Sequence, residues 1–440
     1  MADAAGIARR RSGALASVAR LLIFIQMSSQ PHILIAGAGF VGLSTALYLQ
    51  REGARVTLLD PNGPGEGASK GNAAVLAVDS VLPVAMPGVL KDVPGMLMDP
   101  LGPLAIRWSY LPRIAPWLMR FLAASRRGRV EEIAAGLRPL LASAIEAYLP
   151  LADEAGAREM IRRTGWLSLY ETDESFRKAQ WGLELQRRLG VRMEVLRPEE
   201  IRQAEPTLAP IYRHGVVHPD NAYVLDPWRL AQRLAEAVTR RGGRIERRAL
   251  LGFTFREGRP VAGRTAEGEM PFEAVVIAAG AWSRPLARAL GRDVPLDTER
   301  GYHVTLPSPG VMPRRPLYSG DHSFAVTPLE IGLRFAGTVE LGGLDAPPNY
   351  ARADKLLIHG RRMFPGLESQ GASRWMGFRP SMPDSLPVIG QVPGLPNAVL
   401  AFGHGHLGLT LGAITGKLAA ALALGRPPAL DMAPYRPERF

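Results

Sequence analysis

The stretch "PHILIAGAGFVGLSTALYLQREGARVTLLDP", residues 31–61, decides the architecture. It begins with HILIA, a short apolar run of the kind that forms a buried parallel strand. Gly37, Gly39 and Gly42 follow in G-x-G-x-x-G spacing, then a segment with one apolar face and a stop at Gly53. A second apolar run, VTLL, ends at Asp60. Each part has a physical task in holding a dinucleotide. Gly37 makes the tight turn, Gly39 lets the main chain approach a pyrophosphate, and Gly42 lets helix and strand pack closely. The helix start at Phe40 and Val41 presents unpaired N–H groups to phosphate. Asp60 is placed to accept from a ribose diol.

Three distant segments behave like further contacts to an extended cofactor. "GEGASKGNAAVL" (65–76) is a glycine-rich loop carrying Ser69, Lys70, Asn72 and Ala73. "EAVVIAAGAWSRPLA" (273–287) is an apolar strand closing on Gly280 and Trp282. "AFGHGHLGLTLGAITGK" (401–417) places Gly403, His404, Gly405, His406, Leu407, Gly408, Leu409 and Thr410 at a turn before a helix. N–H groups at such a helix start are free for a ligand oxygen, and the shortage of side chains suits a planar ring lying on the main chain. A nicotinamide cofactor needs no such distant glycine clusters, so FAD is the expected cofactor.

With these motifs in order across residues 31–425, the chain resembles the D-amino-acid oxidase-type family of FAD oxidoreductases. Within it the likeness is to D-amino acid dehydrogenases and their glycine-oxidase and hydroxyproline-dehydrogenase relatives. The residues that carry it are Gly37, Gly39, Gly42 and Asp60, "GASKGNAA", "VVIAAGAWS", "ERGYHV" (299–304), "GFRPSMPDSLPVIG" (377–390) and "GHGHLGLT" (403–410). The resemblance implies an α/β protein: a Rossmann-type FAD-binding domain with an inserted α+β substrate domain built on a mixed sheet. Residues 31–85, 224–290 and 376–425 are assigned to the first, 86–223 and 291–375 to the second, and 426–440 to a tail.

The resemblance also implies the site. Arg379, in "GFRPSMPD", is expected to pair with a substrate carboxylate, since a guanidinium fork fixes both distance and rotation. Tyr302 and His303 lie on a strand expected at the substrate–flavin face. Of His404 and His406, one is expected to face the ring or substrate and the other to be structural. No third ligand has suitable local spacing, so a zinc reading of these histidines is poor and no metal is expected.

Composition sets the remaining bounds. The chain has 440 residues, no cysteine and a net charge of +12. Absent cysteine excludes disulfides, iron–sulfur clusters and thiolate nucleophiles, and fits a reducing compartment. The basic residues are scattered without interleaved aromatics, which argues against nucleic acid as a partner. No window of 18 or more uncharged apolar residues appears, so no membrane-crossing helix is expected. Residues 1–29 form an Arg-rich extension that lacks the long apolar core of a secretory signal, and native translation is expected to begin at Met27. A cytoplasmic protein is expected. "LPRIAPWLMRFLAASRRGR" (111–129), basic and Trp-containing, suits peripheral contact with the inner face of an anionic membrane.

The expected reaction is oxidation of the α C–N bond of a small anionic amine, a D-amino acid or a cyclic imino acid such as D-proline or hydroxyproline. Hydride passes to the flavin and electrons then go to a quinone or a redox protein; a dehydrogenase is favoured over an oxidase. Two other readings stay open: a flavin-binding subunit of a multi-subunit amine dehydrogenase, and a tRNA-modifying flavoprotein.

Overall fold

The computed structural model describes residues 30–88, 101–102 and 104–440. The expectations for residues 1–29, and for most of the Pro-rich loop at 81–103, lie outside the described residues.

The opening stretch folds as its pattern predicts. Strand His32–Ala36 leads into helix Phe40–Arg51 and returns as strand Arg55–Leu59. Gly37 has φ +102°, and a Cβ there would sit 2.3 Å from the Ala278 carbonyl oxygen. A Cβ on Gly42 would lie 2.0 Å from the Gly37 oxygen, so only hydrogen lets the helix start so close to the strand. Gly53, at φ +83°, turns the chain after the helix. Leu43, Leu47 and Leu49 are wholly buried, each the kind of side chain whose truncation to Ala costs about 2–5 kcal/mol.

These strands belong to a six-stranded sheet. Numbered along the chain, its strands lie in the order 3-2-1-4-6-5. His32–Ala36 is flanked by Arg55–Leu59 and Ala274–Ile277, with Arg244–Glu246 and Leu395–Phe402 outside them. All of these run parallel; Val388–Val392 closes the edge antiparallel to Leu395–Phe402. Strand order reverses beside His32–Ala36, which is where such sheets bind ligands beyond their carboxyl ends. A small antiparallel set, Gly252–Arg256, Arg259–Thr265 and Gly268–Pro271, packs alongside. Helix Pro227–Arg240 starts as expected, with Asp226 accepting from the Arg229 N–H and Pro227 in the first turn.

A second, mixed sheet of nine strands contains Ser373–Ser381, Asp297–Leu306 and Gly332–Leu341 side by side, continuing through Phe324–Leu329 to Trp166–Tyr170 and His214–His218. Strand Ser373–Ser381 spans the expected boundary at 375/376. It belongs to this sheet along its whole length, and its chain then enters the six-stranded sheet at Val388. A bridge between Ser381 and His404 clips the two sheets together.

One expectation is corrected. Helices Arg127–Ala142 and Ala144–Glu154, assigned to the substrate domain, share a core with helices Phe40–Arg51 and Gly408–Ala423. Tyr148 donates to the Leu409 carbonyl at 2.7 Å, and Tyr48 to the Ala147 carbonyl at 2.7 Å. Their apolar stripes match the dinucleotide helix, which a boundary drawn from sequence order does not reveal.

The C-terminal helix is also more apolar than expected. Among the described residues, Gly405–Ala423 is long and apolar enough to cross a membrane, but 67% of that window is buried inside the fold. Gly412 and Gly416 face Phe40 and Ser44, where a Cβ would meet protein atoms at 2.6 Å. The apolar composition therefore serves a close crossing of two helices.

Candidate active site

Where the two sheets meet, a cavity of about 590 Å3 runs beyond the carboxyl ends of the parallel strands. That volume lies within the range of cofactor sites. One end is lined by Asp60, Pro61, Asn62 and Ala249–Leu251, the middle by Gly37, Gly39, Phe40 and Val41. The far end is lined by Ser69, Asn72, Ala73, Arg379, His404, Gly405, His406, Gly408 and Leu409, with Gly280 and Trp282 on the outer wall.

The lining suits FAD by its shape. Cβ atoms added at Gly67 or Gly280 would touch no protein atom and would stand in the cavity itself. Phe40 N–H donates to Ser69 Oγ at 3.3 Å, tying the loop to the dinucleotide helix. The Asp60 carboxylate accepts from the N–H groups of Ala38, Asn62 and Gly63 at 2.9, 3.0 and 3.2 Å. A carboxylate has about four acceptor positions, so one is left for a ligand hydroxyl.

The loop at 65–76 is held from the nine-stranded sheet by three successive carbonyls. His303 Nδ1 lies 2.7 Å from the Gly71 oxygen, Arg334 Nη1 donates to Asn72 at 2.7 Å, and Thr327 Oγ1 to Ala73 at 2.7 Å. This corrects the expectation for His303. Its ring is buried and stacked on Trp375 at 5.1 Å, and it does not line the cavity. Burial first, then the charge of Arg334, holds its pKa down to about 3, so the ring is neutral and Nδ1 is the donor.

Other expected site residues are also displaced from the cavity. Lys70 is drawn away by Glu66, Nζ to Oε2 2.8 Å, and lies over the Trp228 ring. Thr410 is buried and bridges the Val75 carbonyl and the Ala77 N–H. Gly42, Gly403 and Leu407 pack behind the lining; a Cβ on Gly403 would meet Met382 at 2.6 Å. Tyr302 does line the cavity, but its hydroxyl donates to Glu340 and accepts from Asn349 N–H at 3.0 Å. That hydroxyl is thus already committed. The Asn72 amide likewise serves its own loop, bonding Ser69 O and Ala74 N.

Arg379 stands out on the wall. Its guanidinium lies across Gly301, where a Cβ would be 2.3 Å from Nη2. Among the described residues it donates only to the Thr338 carbonyl, at 3.0 Å, out of five N–H donors. Thr338 holds that carbonyl from a left-handed backbone at φ +59°, a strained position for a β-branched residue. Burial lowers the Arg379 pKa, opposed by the carboxylate of Glu299 directly across the strand pair. Guanidinium remains charged at any physiological pH.

The two histidines of the turn divide. His404 is buried, with Nε2 2.9 Å from Thr415 Oγ1, and burial holds its pKa down to about 3. His406 is open to the cavity; desolvation there, and then the charge of Arg379, hold its pKa down to about 4. Both are neutral at pH 7. No group of three or more His, Asp or Glu that could hold a metal occurs among the described residues.

Of the aromatic wall, sequence reasoning found Trp282 and missed Trp375 and Phe378. Trp375 is clamped between Gly71 and Gly377, where added Cβ atoms would meet its indole at 2.3 and 1.9 Å. Phe378 meets Trp282 edge to face at 5.5 Å. The signal was present: in strand Ser373–Ser381, Trp375, Gly377 and Arg379 share one face by period two, so a tryptophan beside a glycine accompanies the arginine.

A dinucleotide fold, a bare main-chain cavity between two sheets and a charged fork on its wall together define a flavin-dependent oxidoreductase. The comparisons agree: the family model for FAD dependent oxidoreductases matches residues 32–422, and the chain belongs to that family. It is 44% identical, over 93% of this chain and 99% of the relative, to a D-amino-acid oxidase of Bradyrhizobium diazoefficiens. It is 33% identical, over 93% and 98%, to a D-amino acid dehydrogenase of Paramagnetospirillum magneticum. The fold matches the crystal structure of glycine oxidase from Geobacillus kaustophilus with a TM-score of 0.71 at 22% identity, over 93% of this chain and 100% of that one. The protein is an FAD-dependent oxidoreductase.

Proposed function

We propose that this enzyme oxidises the α C–N bond of a D-amino acid, with cyclic imino acids such as D-proline or hydroxyproline among its substrates. One observation carries the reading: Arg379 turns unpartnered N–H donors into the cavity beside the turn formed by His404, Gly405 and His406. The names of the relatives above point to the same substrate class.

FAD, when bound, supplies the hydride acceptor. The chain does the rest. Gly37, Gly39, Phe40 and Val41 would hold the pyrophosphate, Asp60 the ribose, and the loops at 69–73 and 404–409 the ring. Arg379 grips the substrate carboxylate at both oxygens and so fixes the α-carbon. Trp282, Trp375 and Phe378 keep water from the reacting atoms. The imine product then hydrolyses to a 2-oxo acid, or stays a ring imine for a cyclic substrate.

The electron acceptor is read as a quinone or redox protein. Helix Leu111–Ala124 supports this by turning Arg113, Met119 and Arg120 outward near exposed Trp108, a basic and apolar face suited to the inner surface of an anionic membrane. Oxygen is the second reading, favoured by the 44% identity to an oxidase. Turnover of paired D- and L-amino acids by the purified enzyme, with dye reduction and oxygen consumption followed together, tests both points. D-selective dye reduction without oxygen uptake supports the dehydrogenase, and D-selective oxygen uptake the oxidase. Turnover of neither enantiomer overturns the reading.

A further inference from the structure

Behind the turn at 404–406 lies a second, much smaller cavity of about 10 Å3, bounded by Glu299, Ser381, Ser385, His404, Gly405 and His406 together with apolar side chains. Its volume is that of about one water molecule. His404, Gly405 and His406 line both this cavity and the large one, so the turn borders both.

Glu299 is the unusual member. It is a carboxyl 6% exposed, with no cation within ion-pair distance among the described residues. It sits opposite Arg379 in the pairing of Asp297–Leu306 with Ser373–Ser381, on the same face as Gly301, over which the guanidinium lies. The charged and polar groups facing it are few. Arg379 and Ser381 come from the neighbouring strand, Asp297 from its own, and His404 and His406 from the turn. Burial, the largest influence, raises its pKa above the usual carboxylate range; Arg379 and Ser381 oppose this in part, and Asp297 adds to it. Val84, Phe121, Met382 and Leu407 supply the apolar remainder.

We infer that Glu299 is the resting counter-ion of Arg379 and becomes the acceptor of the proton that the substrate's ammonium group must lose. This rests on the proposed amino acid substrate. In the free enzyme the charge of Arg379 across the strand pair is what keeps Glu299 ionised against the burial that raises its pKa. An arriving carboxylate takes over the guanidinium, leaving Glu299 a buried anion without a compensating charge, which is a costly state. The proton released when the ammonium N–H bond breaks removes that cost by forming the carboxyl O–H bond. It travels by way of His406, open to the large cavity, and one water in the small one. The neutral amine, with its lone pair restored, is the form whose α-hydride the FAD of the large cavity would accept. Charge balances: guanidinium pairs with carboxylate, and amine and Glu299 are both neutral.

Two measurements test this on the FAD-bound enzyme. In the first, propionate, a carboxylate with no amine, is bound to the wild type in weakly buffered dye solution. Uptake of close to one proton per site is expected, and none for Glu299→Gln; no uptake by the wild type overturns the inference. In the second, anaerobic flavin reduction by a D-amino acid is followed against pH. Glu299→Gln should bind propionate at least as tightly as wild type yet reduce the flavin at least tenfold more slowly at pH 7. Its rate should climb about tenfold per pH unit toward the amine's own pKa, and Glu299→Asp should restore part of the loss. A Glu299→Gln rate and pH profile matching wild type overturn the inference. Should the variant lose FAD, the wild-type proton count decides. If no D-amino acid reduces the wild-type flavin, the substrate reading has failed by itself, because the propionate count needs no turnover.

Discussion

At the scale of single residues, Gly301 and Arg379 act as one device. Replacing Gly301 by Ala puts a methyl group 2.3 Å from the guanidinium and must push it off the wall. Gly301→Ala should keep FAD but lose roughly tenfold or more in kcat/KM. Arg379→Ala should lose about 100-fold, equivalent to about 3 kcal/mol of lost charge pairing. Steady-state kinetics on a D-amino acid checks both, and an unchanged kcat/KM in Arg379→Ala would remove the carboxylate clamp. The buried neutral histidines set a pH dependence. His303 and His404 have folded-state pKa values near 3 against 6.5 for the unfolded chain. The unfolded state therefore binds protons first as pH falls. Stability should be fully present above about pH 6.5 and decline as pH falls from there to 3, by up to about 1.4 kcal/mol per pH unit for each ring. Denaturant melts between pH 7 and 4 check this; a flat stability across that range would mean the rings titrate normally.

At the scale of elements, sequence legibility followed how local the signal was. The dinucleotide unit was readable because Gly37, Gly42 and Asp60 act within one contiguous stretch, and the turn at 403–410 because its glycines precede its own helix. His303 was misplaced because its position depends on a partner remote in sequence, and Lys70 because a neighbour four residues away and a remote tryptophan both hold it off the cavity. His303 is fixed by a loop carbonyl 232 residues away. Lys70 is drawn aside by Glu66 and by Trp228 on another helix. Thr327 and Arg334, which hold the same loop, carry no motif at all. The helix crossing offers a test of packing at this level. Gly416→Val would drive a side chain into Ser44 and the Thr45 backbone, each 2.6 Å from the added Cβ. A loss of about 1–3 kcal/mol or more is expected from such overpacking, read as a lower melting temperature. Retention of wild-type stability would show that the two helices can separate at little cost.

For the whole molecule, the nine-stranded sheet and the six-stranded sheet cooperate at one seam, the strand Ser373–Ser381 and the turn after Phe402. Away from that seam, the exposed basic residues of Leu111–Ala124 offer the excess positive charge a role. Sedimentation with anionic liposomes should recover the enzyme at low salt and release it at high salt, as expected of a surface attraction screened by ions. Absence of binding at either salt would end the membrane reading and strengthen oxygen as acceptor. The claim beneath everything else is that the seam holds FAD beside Arg379. The most direct measurement is the visible absorption spectrum of the purified protein, titrated with propionate, for wild type and Arg379→Ala. Both should be yellow, and the flavin bands of the wild type alone should shift as the carboxylate settles on the guanidinium. A colourless protein that added FAD does not restore, or an equal shift in Arg379→Ala, would contradict the account.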